Sequence, residues 1–187
     1  MKYFKKLVGE RIYLSPRNNE EIEQFTKWLN DFETTDYLGR SANIVTLEAE
    51  KKYFEENNDK NYNFFIITLE NDKLIGTIGL ENYDSINRTA TLGIFIGDKE
   101  YRSQGYGTEA IKLILDYGFN YLNLNNIKLD LMSFNNRALK CYQKCGFKEY
   151  GRRRKCKFIN GQYYDCIEMD ILQEEFKSNY IKNKNIK

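Results

Sequence analysis

The 187-residue chain contains no histidine and a single proline, Pro16. Without histidine neither Ser-His-Asp nor Cys-His catalysis can operate, and a mixed Cys/His zinc site cannot be built. Acid–base work falls to Tyr, Glu, Asp, Lys, Cys or water. The four cysteines, Cys141, Cys145, Cys156 and Cys166, form no CxxC pairs, so reduced thiols and no bound metal are expected. No apolar run approaches the ~20 residues of a membrane span, and Met1-Lys2-Tyr3-Phe4-Lys5-Lys6 lacks the apolar core of a secretory signal. A cytoplasmic protein without membrane contact is the expectation. The net charge is only +2, which argues against a general nucleic-acid binder. There is also no Gly/Ser/Pro-rich linker and no internal repeat, so residues 1–187 read as one domain. Its Lys- and Asn-rich end, 177–187, is expected to fray.

What the chain has in quantity is apolar and aromatic mass, 41% and 15% of residues, enough to bury a core. Periodicity and turn signals predict strands at 11–16, 64–69, 74–82, 90–96 and 127–132, and a hairpin of 147–158 with 162–171 about Asn160-Gly161. Helices are predicted at 20–30, 47–57, 105–122 and 135–145. This order is α/β.

The most informative stretch is Arg102-Ser103-Gln104-Gly105-Tyr106-Gly107-Thr108, between the apolar strand 90–96 and a helix carrying Ala110, Ile111, Ile114, Leu115, Phe119 and Leu122 at helical spacing. The first backbone N–H groups of such a helix have no intrahelical partner, and its dipole adds positive potential, so a phosphate satisfies both. Gly105 and Gly107 let the backbone approach phosphate oxygens, and Arg102 supplies a cation. The plain alternative is a glycine turn that merely starts a helix.

A second pattern follows in Asn135-Asn136-Arg137-Ala138, Tyr142 and Gly146-Phe147. In this order and spacing the two segments resemble the GNAT superfamily of acyl-CoA-dependent N-acetyltransferases, with its (Arg/Gln)-x-x-Gly-x-(Gly/Ala) pyrophosphate loop and its Asn-x-(Arg/Lys)-Ala-x-x-x-Tyr-x-x-x-Gly-Phe segment. Gly9-Glu10-Arg11-Ile12-Tyr13-Leu14 and Asn160-Gly161-Gln162-Tyr163-Tyr164-Asp165 resemble the first strand and closing hairpin of the branch of ribosomal-protein N-terminal and spermidine acetyltransferases. The resemblance implies a single GNAT-like α/β domain. Its mixed, mostly antiparallel six- or seven-stranded sheet would be splayed between the fourth strand (90–96) and the fifth (127–132), and flanked by about four helices. It implies acetyl-CoA as acyl donor, bound by Arg102 to Thr108, with Asn135 hydrogen-bonding the pantetheine or organising the loop; the plain alternative for Asn135 is a helix N-cap. It leaves room for a homodimer.

Acetyl transfer to an amine needs a neutral nucleophile, a donor for the thioester oxygen and a proton for the departing thiolate. The backbone N–H of Phe95 or Ile96 is the expected oxyanion donor. Tyr142 matches the family's proton-donating tyrosine, with an aromatic core position as the alternative. Many relatives carry a strand glutamate where this chain has Thr91. Glu81 is therefore the first choice of base, directly or through a water held by Thr91, with Asp84 also near and an exposed strand-end carboxylate as the plain reading. An α-amine with a pKa near 8 costs roughly 3 kcal/mol less to neutralise at pH 7 than a lysine-like amine near 10.4, which eases a missing glutamate for a peptide N-terminus.

From Glu20 to Asp59 eleven acidic residues stand against four basic ones, a net of −7. These helices would border the acceptor, so Glu33 and Asp36 either steer a cationic polyamine, aminoglycoside or basic peptide or simply face solvent. In Arg152-Arg153-Arg154-Lys155 strand alternation splits the charges between two faces. The expected function is N-acetyl transfer to a primary amine of a peptide, ribosomal-protein N-terminus, polyamine or small molecule, by direct attack in a ternary complex. A catalytically silent acyl-CoA-binding sensor is the alternative, and a ribosome-associated binding protein is disfavoured by the modest charge.

Overall fold

The computed structural model describes residues 2–57, 62–177 and 180–182. Eight strands form one sheet in the order β1-β2-β3-β4-β5-β6-β8-β7. They are β1 (Leu7–Val8), β2 (Ile12–Pro16), β3 (Tyr62–Thr68), β4 (Leu74–Asp84), β5 (Thr89–Ile96), β6 (Asn126–Met132), β7 (Lys148–Ile159) and β8 (Gln162–Leu172). All neighbours are antiparallel except β5 and β6. Five α-helices accompany them, α1 (Ile22–Leu29), α2 (Phe32–Leu38), α3 (Leu47–Asn57), α4 (Tyr106–Asn120) and α5 (Asn136–Lys144).

Alternation along the central strands divides the core in two. Ile12, Leu14, Phe64, Ile66, Ile78, Leu80 and Leu92 face α4 and pack on Ile111, Ile114 and Leu115. Tyr13, Phe65 and Ile67 face the other way and pack with Phe25, Trp28 and Phe54 of α1 and α3. Phe25 lies within 5.4–5.9 Å of the rings of Trp28, Phe54, Phe65 and Phe95, an aromatic stack that fixes α1 and α3 over the sheet.

Several expectations change. The sheet gains β1, two residues long and too short for a periodicity signal, and a fifth helix, α2, appears where none was predicted. Thr34 and Thr35 weaken α2's local propensity, yet Asp31 caps it by accepting from Glu33 N–H, and Gly39 closes it at φ 64°. Cys156 and Cys166 are not reduced thiols but a disulfide, while Cys141 and Cys145 are free. The hairpin turn brings two cysteines ten positions apart to facing strands. That turn is as predicted, with Asn160 and Gly161 both at positive φ as a two-residue hairpin turn requires. The strict alternation expected for Arg152 to Lys155 is broken by a register shift between Arg153 and Lys157, and all four side chains are exposed.

The chain end is docked over part of the length expected to fray. Asp116, fully buried in α4, accepts the N–H groups of Tyr180 (2.6 Å) and Ile181 (3.0 Å), and Lys182 N–H donates to Val8 O at 2.7 Å. Residues 178–179 and 183–187 of that expectation lie outside the described residues. Among the described residues no helix is long and apolar enough to cross a membrane.

Candidate active site

β5 and β6 pair at only three positions, Thr89 with Asn126, Ala90 with Ile127 and Thr91 with Lys128. Beyond Thr91 they part, which is the splay expected between these two strands. Gly97 N–H donates to Ile75 O of β4, and the β4/β5 register runs unshifted from Gly76/Ile96 to Glu81/Thr91. By antiparallel alternation the N–H of Phe95 is therefore turned to β4, while those of Ile94 and Ile96 face the gap. Of the two expected oxyanion donors, Ile96 has the open orientation and Phe95 does not. Ile94 joins it, a donor that only the register reveals. A cavity of about 720 Å³ runs through this gap, lined on one side by Gly105, Thr108 and Tyr142 and on the other by Glu81, Thr91 and Asn63.

The glycine loop stands at the start of α4 as predicted. Gly105 is its N-cap at φ 87°, a conformation that favours glycine, and the first-turn N–H groups point out of the helix without intrahelical partners. Glu109, in that first turn, accepts the N–H groups of Glu10 (2.7 Å) and Arg11 (2.9 Å), and pairs with Arg11 Nε at 3.2 Å. Arg11 also donates to Gln104 O at 3.0 Å and lies 4.3 Å from the Tyr106 ring. The loop is thus braced against β2 by two residues the motif does not contain. Ser103, Gly105, Gly107 and Thr108 line the cavity. Tyr106 is turned to Arg11, and the Gln104 side chain donates back to Glu100 O.

Arg102 is not a free cation for phosphate. Its guanidinium donates to Ile96 O (2.9 Å), Gly97 O (3.1 Å) and Thr34 Oγ1 (2.9 Å) and pairs with Glu33 at 3.1 Å, with 9% of the side chain exposed. It clamps the end of β5 to α2. Glu33 also binds Lys99 at 2.6 Å, and it lines the cavity. Asp36 does not line the cavity.

Asn135 caps α5, its Oδ1 accepting Ala138 N–H at 3.1 Å, and it also lines the cavity. Tyr142 is 8% exposed, set edge-on to Phe147 at 5.8 Å, and borders the gap. Burial, followed by the nearby Cys141 and Asp130, pushes its phenol pKa well above the ordinary range, so the phenol keeps its proton. Next to it Cys141 Sγ sits 3.2 Å from Thr108 Oγ1. A hydrogen bond from Cys145 lowers the Cys141 thiol to about 6 against its burial, helped by Thr108, Lys144 and Arg137.

On the face of α1 and α3, Glu81 lies directly across the ladder from Thr91. A Cβ at Gly93 would stand 3.7 Å from Glu81 Oε1, so the carboxylate leans over a glycine floor inside the cavity. Asp84 is elsewhere. It holds its own turn, accepting Ile86 N–H (2.9 Å) and Asn87 N–H (2.8 Å), and is absent from the lining. Sequence reasoning missed three further residues in this chamber, Arg17, Glu50 and Asn63, which come from a loop, a helix and a strand and share no motif. Burial pulls the Arg17 guanidinium below its usual range and pushes the Glu50 carboxyl above its own, while each partly offsets the other. Among the described residues no group of three or more His, Cys, Asp or Glu side chains could hold a metal.

Comparison with known proteins agrees with this geometry. The family model described as "Acetyltransferase (GNAT) domain" matches residues 11–148. The chain belongs to the GNAT acetyltransferase family. A probable N-acetyltransferase of Bacillus subtilis is 31% identical over 178 residues, covering 90% of this chain and 98% of its own. The spermidine N(1)-acetyltransferase of Escherichia coli is 29% identical over 165 residues, covering 88% of each. Among solved structures, spermidine N-acetyltransferase from Vibrio cholerae in complex with CoA and spermine superposes with a TM-score of 0.82 at 26% identity, covering 88% of this chain and 97% of that one. As a GNAT enzyme this chain is an N-acetyltransferase.

Proposed function

We propose that this enzyme transfers the acetyl group of acetyl-CoA directly to a primary amine of a peptide, polyamine or small molecule held in the same complex. The observation that carries the reading is the gap between β5 and β6. It joins the uncapped start of α4 on one face of the sheet to a carboxylate-bearing chamber on the other, so a donor and an acceptor can meet there without exchanging places. The unpaired N–H groups after Gly105 suit the pyrophosphate. The open edge of β5 suits the extended pantetheine, whose amides can pair there as an added strand would.

In the step itself the thioester supplies an activated acetyl carbon. The amine gives a proton to Glu81, directly or through water held at Thr91, and its lone pair attacks that carbon. The N–H groups of Ile94 and Ile96 are placed to receive the carbonyl oxygen as it gains charge. As the C–S bond breaks, Tyr142 gives its proton to the thiolate. The Glu81 carboxylate, across the ladder from Thr91, can serve in place of the strand glutamate that Thr91 replaces, which is why the silent-sensor reading is the weaker one.

Release of coenzyme A by purified protein, followed across spermidine, aminoglycosides and short peptides with free N-termini against no-acceptor controls, tests this. Acceptor-dependent release is expected. CoA binding with no release for any amine would overturn it.

A further inference from the structure

The acceptor chamber holds an imbalance of hydrogen-bonding groups. Arg17 Nε, Arg17 Nη2 and Asn63 Nδ2 are buried donors with no partner, and Glu50 Oε1 is the one buried acceptor in the same condition among the described residues. Buried polar groups in native proteins are almost always paired, so such a cluster marks where something else binds. Nε and Nη2 form one edge of the planar guanidinium, the fork that takes both oxygens of a carboxylate. The fork is held in place, since the guanidinium carbon lies 4.5 Å from the Phe54 ring and 5.5 Å from the Tyr53 ring. Asn63 is pinned too, its Oδ1 lying where a Cβ on Gly79 would come within 2.0 Å. Arg17, Asn63, Glu81 and Thr91 line one cavity, so a single ligand can meet both the fork and the proposed base.

We propose that the acceptor is an amine that also carries a carboxylate, an amino acid in the broad sense. Its carboxylate sits on the Nε/Nη2 edge of Arg17 beside Asn63, and its amine sits at Glu81 and Thr91. This rests on the acetyl-transfer reading above and narrows it. A polyamine brings only donors to a chamber whose unmet need is for acceptors, and it adds positive charge beside Arg17. A carboxylate satisfies the fork, and Glu50 Oε1 remains for a donor on the same ligand.

The test uses the intact protein saturated with CoA. The twenty protein amino acids and ornithine are screened by thermal denaturation, and each that stabilises is compared by calorimetry with its carboxyl amide and with its decarboxylated amine, such as ornithine against putrescine. The free acid is expected to bind at least about tenfold more tightly than either counterpart, the scale of a charge-assisted hydrogen-bond pair. In Arg17→Met and Arg17→Lys, the second keeping charge but losing the fork, that preference should shrink to within about threefold. The inference is overturned if no carboxylate-bearing amine binds, if the amide or the decarboxylated amine binds as tightly, or if Arg17→Met keeps the preference. The comparison in the unsubstituted protein decides even if the variants fail to fold. Coenzyme A release with the same compounds separates the two readings. Turnover of amines regardless of carboxylate sinks this inference and keeps acetyl transfer, whereas selective binding without turnover supports the chamber and counts against transfer.

Discussion

Glu81 faces Thr91 directly across the β4/β5 ladder, and Thr91 is also the last residue of β5 paired with β6. The carboxylate paired across the ladder with Thr91 thus stands where the sheet opens. Glu81→Gln is expected to lower the rate of acetyl transfer by about 100-fold or more, within the range of general bases, with CoA affinity unchanged by calorimetry. Thr91→Val should cost less, because it removes only a water's anchor. An unchanged rate in Glu81→Gln would leave Glu81 as a wall of the cavity with no part in proton transfer.

Tyr142→Phe should cut turnover by about 100-fold without weakening CoA binding. Burial raises the Tyr142 pKa, and a raised pKa keeps the acid protonated to higher pH than an ordinary tyrosine. The alkaline fall in turnover from this group should therefore lie above pH ~10, which a rate profile between pH 6 and 10 can check. A fall centred near pH 8 that vanishes in Tyr142→Phe would contradict the raised pKa while keeping Tyr142 as the acid; one that persists in Tyr142→Phe would belong to another group.

Arg102 holds two carbonyls of the β5 end, Ile96 O and Gly97 O. Arg102→Ala leaves them without their charged donor and should cost about 2–3 kcal/mol of stability, read as a lower denaturant midpoint. Glu33→Gln, which loosens the same clamp from its exposed side, should cost under about 1 kcal/mol. If Arg102→Ala instead weakened only CoA binding, the arginine would be a phosphate ligand after all.

Cys141, held near 6 by its hydrogen bond from Cys145, should react with iodoacetamide at a rate that rises through pH 6 and levels off above pH 7. Cys145, pushed far upward by the same pair, should lag well behind. Because Cys141 lines the cavity beside Thr108, saturating CoA should slow its labelling at least several-fold. Equal rates for both thiols by peptide mapping would refute the ordering.

Local rules made much of this protein readable in its sequence. Period-two and period-3.6 patterns, the Asn160-Gly161 turn and the glycine loop depend on neighbours within a few positions. Among the described residues they placed seven of eight strands, four of five α-helices and the loop before α4. The family resemblance supplied the splay. What the sequence could not decide depends on which side of a strand meets what. Register turned Phe95 N–H away from the gap and Ile94 N–H toward it, and packing against α2 gave the Arg102 guanidinium partners in Ile96 O, Thr34 and Glu33 that its motif does not announce. Hairpin closure joined Cys156 to Cys166, and the fold gathered Arg17, Glu50, Asn63, Glu81 and Thr91 into one chamber. Those five residues span 75 positions and share no motif, because side chains brought together by tertiary packing need no fixed spacing along the chain.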